Sequence, residues 1–382
     1  MSSLKKIGII TYHHYYNYGT MLQAFALQKL VESCGCSAEL IDFQNDESLG
    51  LSEIILLRIR RVPVYLLQFK KYITLATSKQ ILSKRCEIME EFYKAYIKTG
   101  GKQYSTNEDL ISDPPLYDGY VVGSDQTWNP YVGNRPEPFY LTFVNDNKKK
   151  GSYAPSFPVS NITKEQEEFL REKLGSFAFL SCRERSGAEY LERILGRQVK
   201  NVLDPTLLVD KKDWEKYEKN EAGIAHPNYI FVYLLGENSR HRDIINHIKY
   251  ITGYPVVAVP MTYREMLDND WEKAIVGPSG FLYLIHHASL VCTDSFHATM
   301  FSVNYNKSFF AFRRMRDNEK ASNNSRVYDS LAMFGLGNRL IGSEEEIPKT
   351  MNIDYSVTNS ILTEKRADSF DYLRRMLMEI TQ

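Results

Sequence analysis

Short apolar runs alternate with amphipathic stretches along most of this chain. Ile7-Gly8-Ile9-Ile10 is an apolar run bounded by Lys6 and Thr11, the pattern of a short buried strand. A polar and aromatic loop, His13 to Gly19, follows it. Leu22, Phe25, Ala26, Leu27 and Leu30 then recur at helical spacing. That spacing predicts a helix capped by Thr20, running to about Ser33 and ended by Gly35. Residues 39–43 read as the next strand. Strand, helix and strand in this order predict a parallel, doubly wound sheet, because parallel strands need a crossover connection.

The same rhythm continues. Residues 117–122, 151–154, 177–181 and 198–203 read as strands, and a helix opens near Ser186. A fresh set begins with the apolar run 229–235. A helix over 240–251, a strand over 255–259, a helix over 280–287 and a strand over 289–292 follow. Thr293-Asp294-Ser295-Phe296-His297 opens the next helix. A strand over 308–312, a helix over 327–334 and an amphipathic helix over 364–380 complete the pattern. The fold class expected is α/β, with two Rossmann-like lobes. The expected division is an N-terminal lobe over 1–209, a connection over 210–227, a C-terminal lobe over 228–345 and a C-terminal segment over 346–382.

Residues 51–99 interrupt the rhythm and read as a helical, basic insertion in the first lobe. Between 51 and 85, Arg58, Arg60, Arg61, Lys70, Lys71, Lys79, Lys84 and Arg85 stand against Glu53 alone, a net of 8 − 1 = +7. Two readings stay open. One is the solvated face of an inserted helix. The other is a surface for anionic lipid or a diphosphate-lipid substrate, which would give peripheral membrane contact through 51–85.

Composition narrows the classes. A length of 382 residues suits two domains at about 150 residues each. Lys plus Arg and Asp plus Glu both number 47, so no nucleic-acid partner is expected and any basic site must be local. The 5 cysteines are odd in number and form no paired cluster, as in a reduced, cytoplasmic protein. No signal sequence and no run of about 20 apolar residues appears. The expectation is a soluble protein, at most peripheral at the inner face of the membrane.

Ligands bind doubly wound sheets at the carboxyl ends of strands. Asn17, Tyr18, Gly19 and Gln23 lie in or just after one such end. Ser124, Asp125 and Gln126 lie at another, and all seven are candidate substrate contacts. His297 stands at a helix start, where free N–H groups attract anions. Arg183 follows a strand directly, as do Arg313 and Arg314, and Arg326 lies downstream. Guanidinium forks suit carboxylate and phosphate. Neither a Walker loop nor a Gly-x-Gly-x-x-Gly fingerprint is present. The pairs His13-His14 and His286-His287 lack further ligands at helical spacing, so no metal is expected.

The ordered motifs resemble the polysaccharide pyruvyl transferase family. They are Ile7 to Tyr12 with Asn17-Tyr18-Gly19-Thr20-Met21-Leu22-Gln23-Ala24, then Gly123-Ser124-Asp125-Gln126-Thr127-Trp128-Asn129-Pro130. Ser152-Tyr153-Ala154-Pro155-Ser156-Phe157, Arg183-Glu184-Arg185-Ser186-Gly187, Leu203-Asp204-Pro205-Thr206 and Thr293-Asp294-Ser295-Phe296-His297-Ala298 follow. The resemblance spans roughly 5–340. It implies two Rossmann lobes like those of the GT-B glycosyltransferases, phosphoenolpyruvate as donor, and a sugar acceptor that receives a pyruvate ketal. The acceptor would belong to a cell-surface or capsular polysaccharide, free or linked to a lipid diphosphate. His297 matches the family's general acid/base position, and Arg183 an anion-binding arginine. Arg313 or Arg314 would help hold the donor. Ser295 stands where one branch has an arginine, so Ser295 and Arg326 join the donor candidates. Ala298 and Pro155 also depart from frequent family residues. No cofactor is implied. Two other readings remain: a GT-B-type glycosyltransferase using a nucleotide sugar, and a non-catalytic scaffold in polysaccharide assembly.

Overall fold

The structure, a computed structural model, describes residues 4–14, 16–44, 68–129, 137–158, 162–314 and 325–382. Its first sheet is wholly parallel. β1 (Lys6–Ile10) lies at its centre, between β2 (Ser37–Phe43) and β4 (Gly119–Val122). β3 (Thr99–Tyr104) pairs beyond β2, and β5 (Lys150–Ser152) beyond β4. The order is β3-β2-β1-β4-β5, with a short parallel pair, β6 (Ser181–Cys182) and β7 (Lys200–Asn201), reached through a bridge between Gly151 and Phe179. Ile7, Ile9 and Ile10 are wholly buried because helices cover both faces of the sheet.

The second sheet is also parallel, in the order β10-β9-β8-β11-β12-β13. Its strands are β8 (Ile230–Tyr233), β9 (Val256–Ala258), β10 (Glu272–Lys273), β11 (Leu290–Thr293), β12 (Phe309–Phe312) and β13 (Leu340–Ile341). Strand order reverses direction at β1/β4 in one sheet and at β8/β11 in the other. Such switch points are where open α/β sheets bind ligands.

The first helix, Tyr18–Ser33, starts three residues earlier than a cap at Thr20 would place it. Asn17 is the cap, its side-chain oxygen accepting from Thr20 N at 3.2 Å. This helix is buried on nearly every side, because it is wedged between its own sheet and the second lobe. Tyr18 stacks on Phe281 at 4.6 Å and donates to Val276 O at 2.8 Å, both in the second lobe.

The helix Gln68–Tyr96 is the crossover from β2 to β3, so the expected insertion is part of the sheet's own connection. Its Ile81 and Leu82 pack with Met266 of the second lobe. Arg85 corrects the reading of a basic outer face: it is 1% exposed and donates to Pro260 O at 2.9 Å. Lys79 and Lys84 are exposed. Arg58, Arg60 and Arg61 lie outside the described residues, as do the side chains of Lys70 and Lys71. No described helix is long and apolar enough to cross a membrane. The last helix, Ser356–Ile380, returns to the first lobe, where Ile380 packs over Gly119 and Tyr372 donates to Ser152 O at 3.1 Å.

Candidate functional site

β11 ends at Thr293, whose hydroxyl donates to Tyr233 O at 2.6 Å. The Asp294 carboxylate accepts from Leu235 N at 2.7 Å and Gly236 N at 2.8 Å, locking the loops after β8 and β11 together. Ser295 caps the helix Phe296–Asn304 by accepting from Ala298 N at 3.4 Å. His297 therefore sits in a first helical turn, 6% exposed. Its ring lies against Gly19 of the first lobe. A Cβ on Gly19 would fall 2.1 Å from Nδ1, so a side chain there would displace the imidazole. His297 Nε2 is 3.6 Å from Asp204 Oδ2, an ion-pair distance longer than a hydrogen bond.

Asp204 ends the strand segment after β7 and caps the short helix Pro205–Leu208. Its Oδ1 accepts from Thr206 N and Oγ1 at 2.9 and 2.7 Å. Its Oδ2 accepts from Ser124 Oγ at 2.7 Å and from Arg183 Nη1 at 2.9 Å. Burial pushes this carboxyl up, but His297, Arg183 and Thr206 outweigh it and hold it well below the usual range. Arg183 Nε donates to Glu184 Oε1 at 3.0 Å, and Glu184 in turn accepts from Ser156 Oγ and Phe157 N, both at 2.9 Å. Burial opposes the charge on Arg183, yet Glu184, Asp204 and Asp125 raise its pKa above the ordinary value. Arg183 Nη2 is buried without a hydrogen-bond partner among the described residues.

Phe296 joins the two lobes' cations. The Arg183 guanidinium lies 4.0 Å from its ring centroid and that of Arg326 lies 6.0 Å away. Arg326 is on the helix Ser325–Met333, tied to the first lobe where Ser186 Oγ donates to Asp329 Oδ2 at 2.6 Å. Burial, then Arg183 and Arg314, push Arg326 down to about 9, with Glu184 and Asp125 offsetting part of the effect. Arg314 Nη2 donates to Asp294 O at 3.1 Å, and its Nε is 3.7 Å from Asp294 Oδ2. Asp294, Phe296, Arg314 and Arg326 line one small cleft together with exposed Arg313.

Asp125 adds backbone strain beside this group. Its φ of 67° and ψ of −168° fall in a region that is close to glycine-only and costs about 1–3 kcal/mol. Thr20 Oγ1 donates to Asp125 Oδ2 and Ser156 N to Asp125 O, both at 2.7 Å, and so hold it there.

The fold thus gathers His297, Arg183, Arg314, Arg326, Gly19, Ser124 and Asp125. It gives the other candidates different partners. Asn17 and Ser295 are helix caps, and Tyr18 is a buried tether between the lobes. The Gln23 amide donates to Thr11, Tyr12 and Thr20, bracing the turn from within. Gln126 accepts from Asn129 at 2.6 Å. Arg313 is exposed, its guanidinium 5.9 Å from the Tyr328 ring. Sequence reasoning missed Asp204, Glu184 and Phe296. Asp204 stands before proline at a strand end, so an N-cap accounts for it fully. Only its remaining oxygen reveals a second role.

Two parallel sheets with facing carboxyl edges, and buried guanidinium groups between them, define an α/β protein of the GT-B type. Among solved structures, the UDP-GlcNAc 2-epimerase of Methanocaldococcus jannaschii, solved with UDP-GlcNAc and UDP, aligns over 98% of this chain and 99% of its own at TM-score 0.50. Identity is 13%, so this likeness shows the fold alone. Arabidopsis thaliana UGT89C1, complexed with UDP-L-rhamnose, aligns over 98% of this chain and 100% of its own at TM-score 0.49 and 10% identity. No curated protein matches the sequence. The polysaccharide pyruvyl transferase profile matches residues 17–314. The chain belongs to that family of transferases, and the matched span holds Gly19, Arg183, Asp204, His297 and Arg314.

Proposed function

We propose that this protein moves the pyruvyl group of phosphoenolpyruvate onto two hydroxyls of one sugar, closing a ketal and releasing phosphate. The sugar would belong to a cell-surface or capsular polysaccharide precursor, free or carried on a lipid diphosphate. The observation that supports this reading is the crowding of Arg183, Arg314 and Arg326 near Phe296, with His297 on the same helix. Three cations, two of them deeply buried, repel one another, and a small ligand bearing both a carboxylate and a phosphate offsets that repulsion.

His297 serves as the acid. It protonates the methylene carbon of the donor, and the carbon bearing phosphate becomes electrophilic. The first sugar hydroxyl adds there and loses its proton. The second hydroxyl displaces phosphate at the same carbon. One of the two protons released restores His297, and the other leaves with the phosphate. Asp204 stabilises the imidazolium across 3.6 Å, and the arginines hold the donor's charge in place. The scheme itself calls for no metal or redox cofactor.

The test is phosphate release from phosphoenolpyruvate across soluble and lipid-linked sugars. Release that requires an acceptor, and that falls by about 10²–10⁴ in His297→Ala, is expected. Turnover of a nucleotide sugar without phosphoenolpyruvate, or a fully active His297→Ala, would sink the reading.

A further inference from the structure

We propose that His13, His14 and Asp42 form a site for one divalent transition-metal ion at the carboxyl edge of the first sheet. In the sequence the two histidines have no third ligand. The fold supplies one, because β1 and β2 are neighbours and their carboxyl ends bring the loop after Ile10 against Asp42. One ligand atom from each of the three residues lies within 4.8 Å of the other two. His14 Nε2 is 2.5 Å from Asp42 Oδ1.

The hydrogen-bonding of His13 is that of a metal-binding imidazole. Its Nε2 is 3.3 Å from Ile41 O, an acceptor only, so the proton belongs on Nε2. That leaves the Nδ1 lone pair as an acceptor, facing Tyr93 Oη at 3.0 Å, a hydroxyl that an ion would displace. A backbone carbonyl holding the far nitrogen is the usual way a fold orients such a ligand. Tyr93 Oη lies 3.0 Å from His13 Nδ1 and 3.5 Å from His14 Nε2, inside the same group.

Access and ligand chemistry agree. The His14 and Asp42 side chains are 25% and 19% exposed, enough for an ion to enter from one side. Two imidazoles and one carboxylate suit Zn²⁺, Fe²⁺ or Co²⁺, whereas Mg²⁺ and Ca²⁺ prefer oxygen alone. Bonds of about 2.0–2.2 Å to a tetrahedral ion need the ligand atoms somewhat closer than 4.8 Å, a change within reach of side-chain rotation. Glu218, His286 and His287 make a second such group, but among the described residues no backbone carbonyl orients a ring there, and His287 is 46% exposed. That group serves as the control. The proposal stands independently of the pyruvyl-transfer reading.

The experiment strips the full chain with a chelator, then titrates it with Zn²⁺ by calorimetry and with Co²⁺ by visible absorption. One ion per chain is expected. His14→Ala and Asp42→Asn should each weaken binding by about tenfold or more and bleach the cobalt bands, while His286→Ala keeps both. Circular dichroism checks that each variant is folded. If either unfolds, X-ray absorption at the zinc edge of the His286→Ala protein reads the ligands directly. Two imidazoles with an oxygen ligand support the site, and an all-oxygen shell overturns it. No binding after stripping, unchanged binding in folded His14→Ala and Asp42→Asn, or binding lost in His286→Ala would each overturn it as well.

Discussion

Arg183 of the first lobe and Arg326 of the second flank the same phenyl ring, but their surroundings differ. Arg183 is held by Glu184 at 3.0 Å and Asp204 at 2.9 Å, and these carboxylates raise its pKa. Arg326 is equally buried, yet its largest neighbouring influences after burial are two more cations, and its pKa falls to about 9. The first lobe therefore presents an arginine already paired with two carboxylates, with only Nη2 lacking a hydrogen-bond partner among the described residues. The second presents an arginine whose charge is disfavoured by burial and by the neighbouring Arg183 and Arg314, with Glu184 and Asp125 offsetting part of the effect.

Removing each cation should separate these roles. Arg183→Ala leaves Asp204 and Glu184 buried without their partner, so stability should drop by about 3–5 kcal/mol in denaturant unfolding, and activity should go with it. An unchanged unfolding midpoint would mean that the network is not the scaffold described. Gly19→Ala should come next. The added methyl would displace the His297 ring, and a shift near 1 Å at a reacting group costs about 100-fold in turnover. Steady-state kcat is the measurement, read beside a melting temperature that overpacking against His297 Cβ, 2.7 Å from the added methyl, should lower.

Arg326→Met should have the opposite signature to Arg183→Ala. Stability should stay within about 1 kcal/mol of the parent or rise, because a crowded buried charge is gone. Phosphoenolpyruvate affinity, measured by calorimetry, should nevertheless weaken. A large loss of stability here would erase the contrast between the lobes.

The smallest effect is a pH slope. A cation whose folded pKa is lowered is deprotonated first in the folded state, so the unfolded chain binds more protons above about 9. The Arg326 contribution to stability should therefore rise with pH from about 9 toward the ordinary arginine value. Donor affinity should fall across the same window as the charge is lost. Arg326→Met should flatten both trends.

Most of the fold was legible because parallel strands buried on both faces leave continuous apolar runs, as at Ile7–Ile10 and 229–235. β3 was not, because Thr99–Tyr104 is an edge strand of polar residues, exposed along Gly100–Gln103. The start of the first helix was misplaced because Asn17 and Thr20 both suit a cap. Only the structure shows the Thr20 hydroxyl donating to Asp125 instead. The basic count over 51–85 suggested one outer face, but packing against Met266 and Pro260 turns Arg85 inward. At the site, Arg183 could be picked out because it directly follows a strand end, and His297 because it stands at the helix start that comes after one. Phe296 looked like an ordinary core residue, and its place between two guanidinium groups depends on Ser186 meeting Asp329 across the lobes.

The sequence by itself determined the two-sheet α/β plan, the family and the chemical types gathered at the strand ends, because apolar periodicity and local motifs act over a few residues. Tertiary structure alone decided which arginine is neutralised and which is crowded. It also decided which glycine makes room for the histidine, and which carboxylate reaches the paired imidazoles of His13 and His14. Those outcomes depend on distances between residues far apart in the chain, and Coulomb and steric forces act through space.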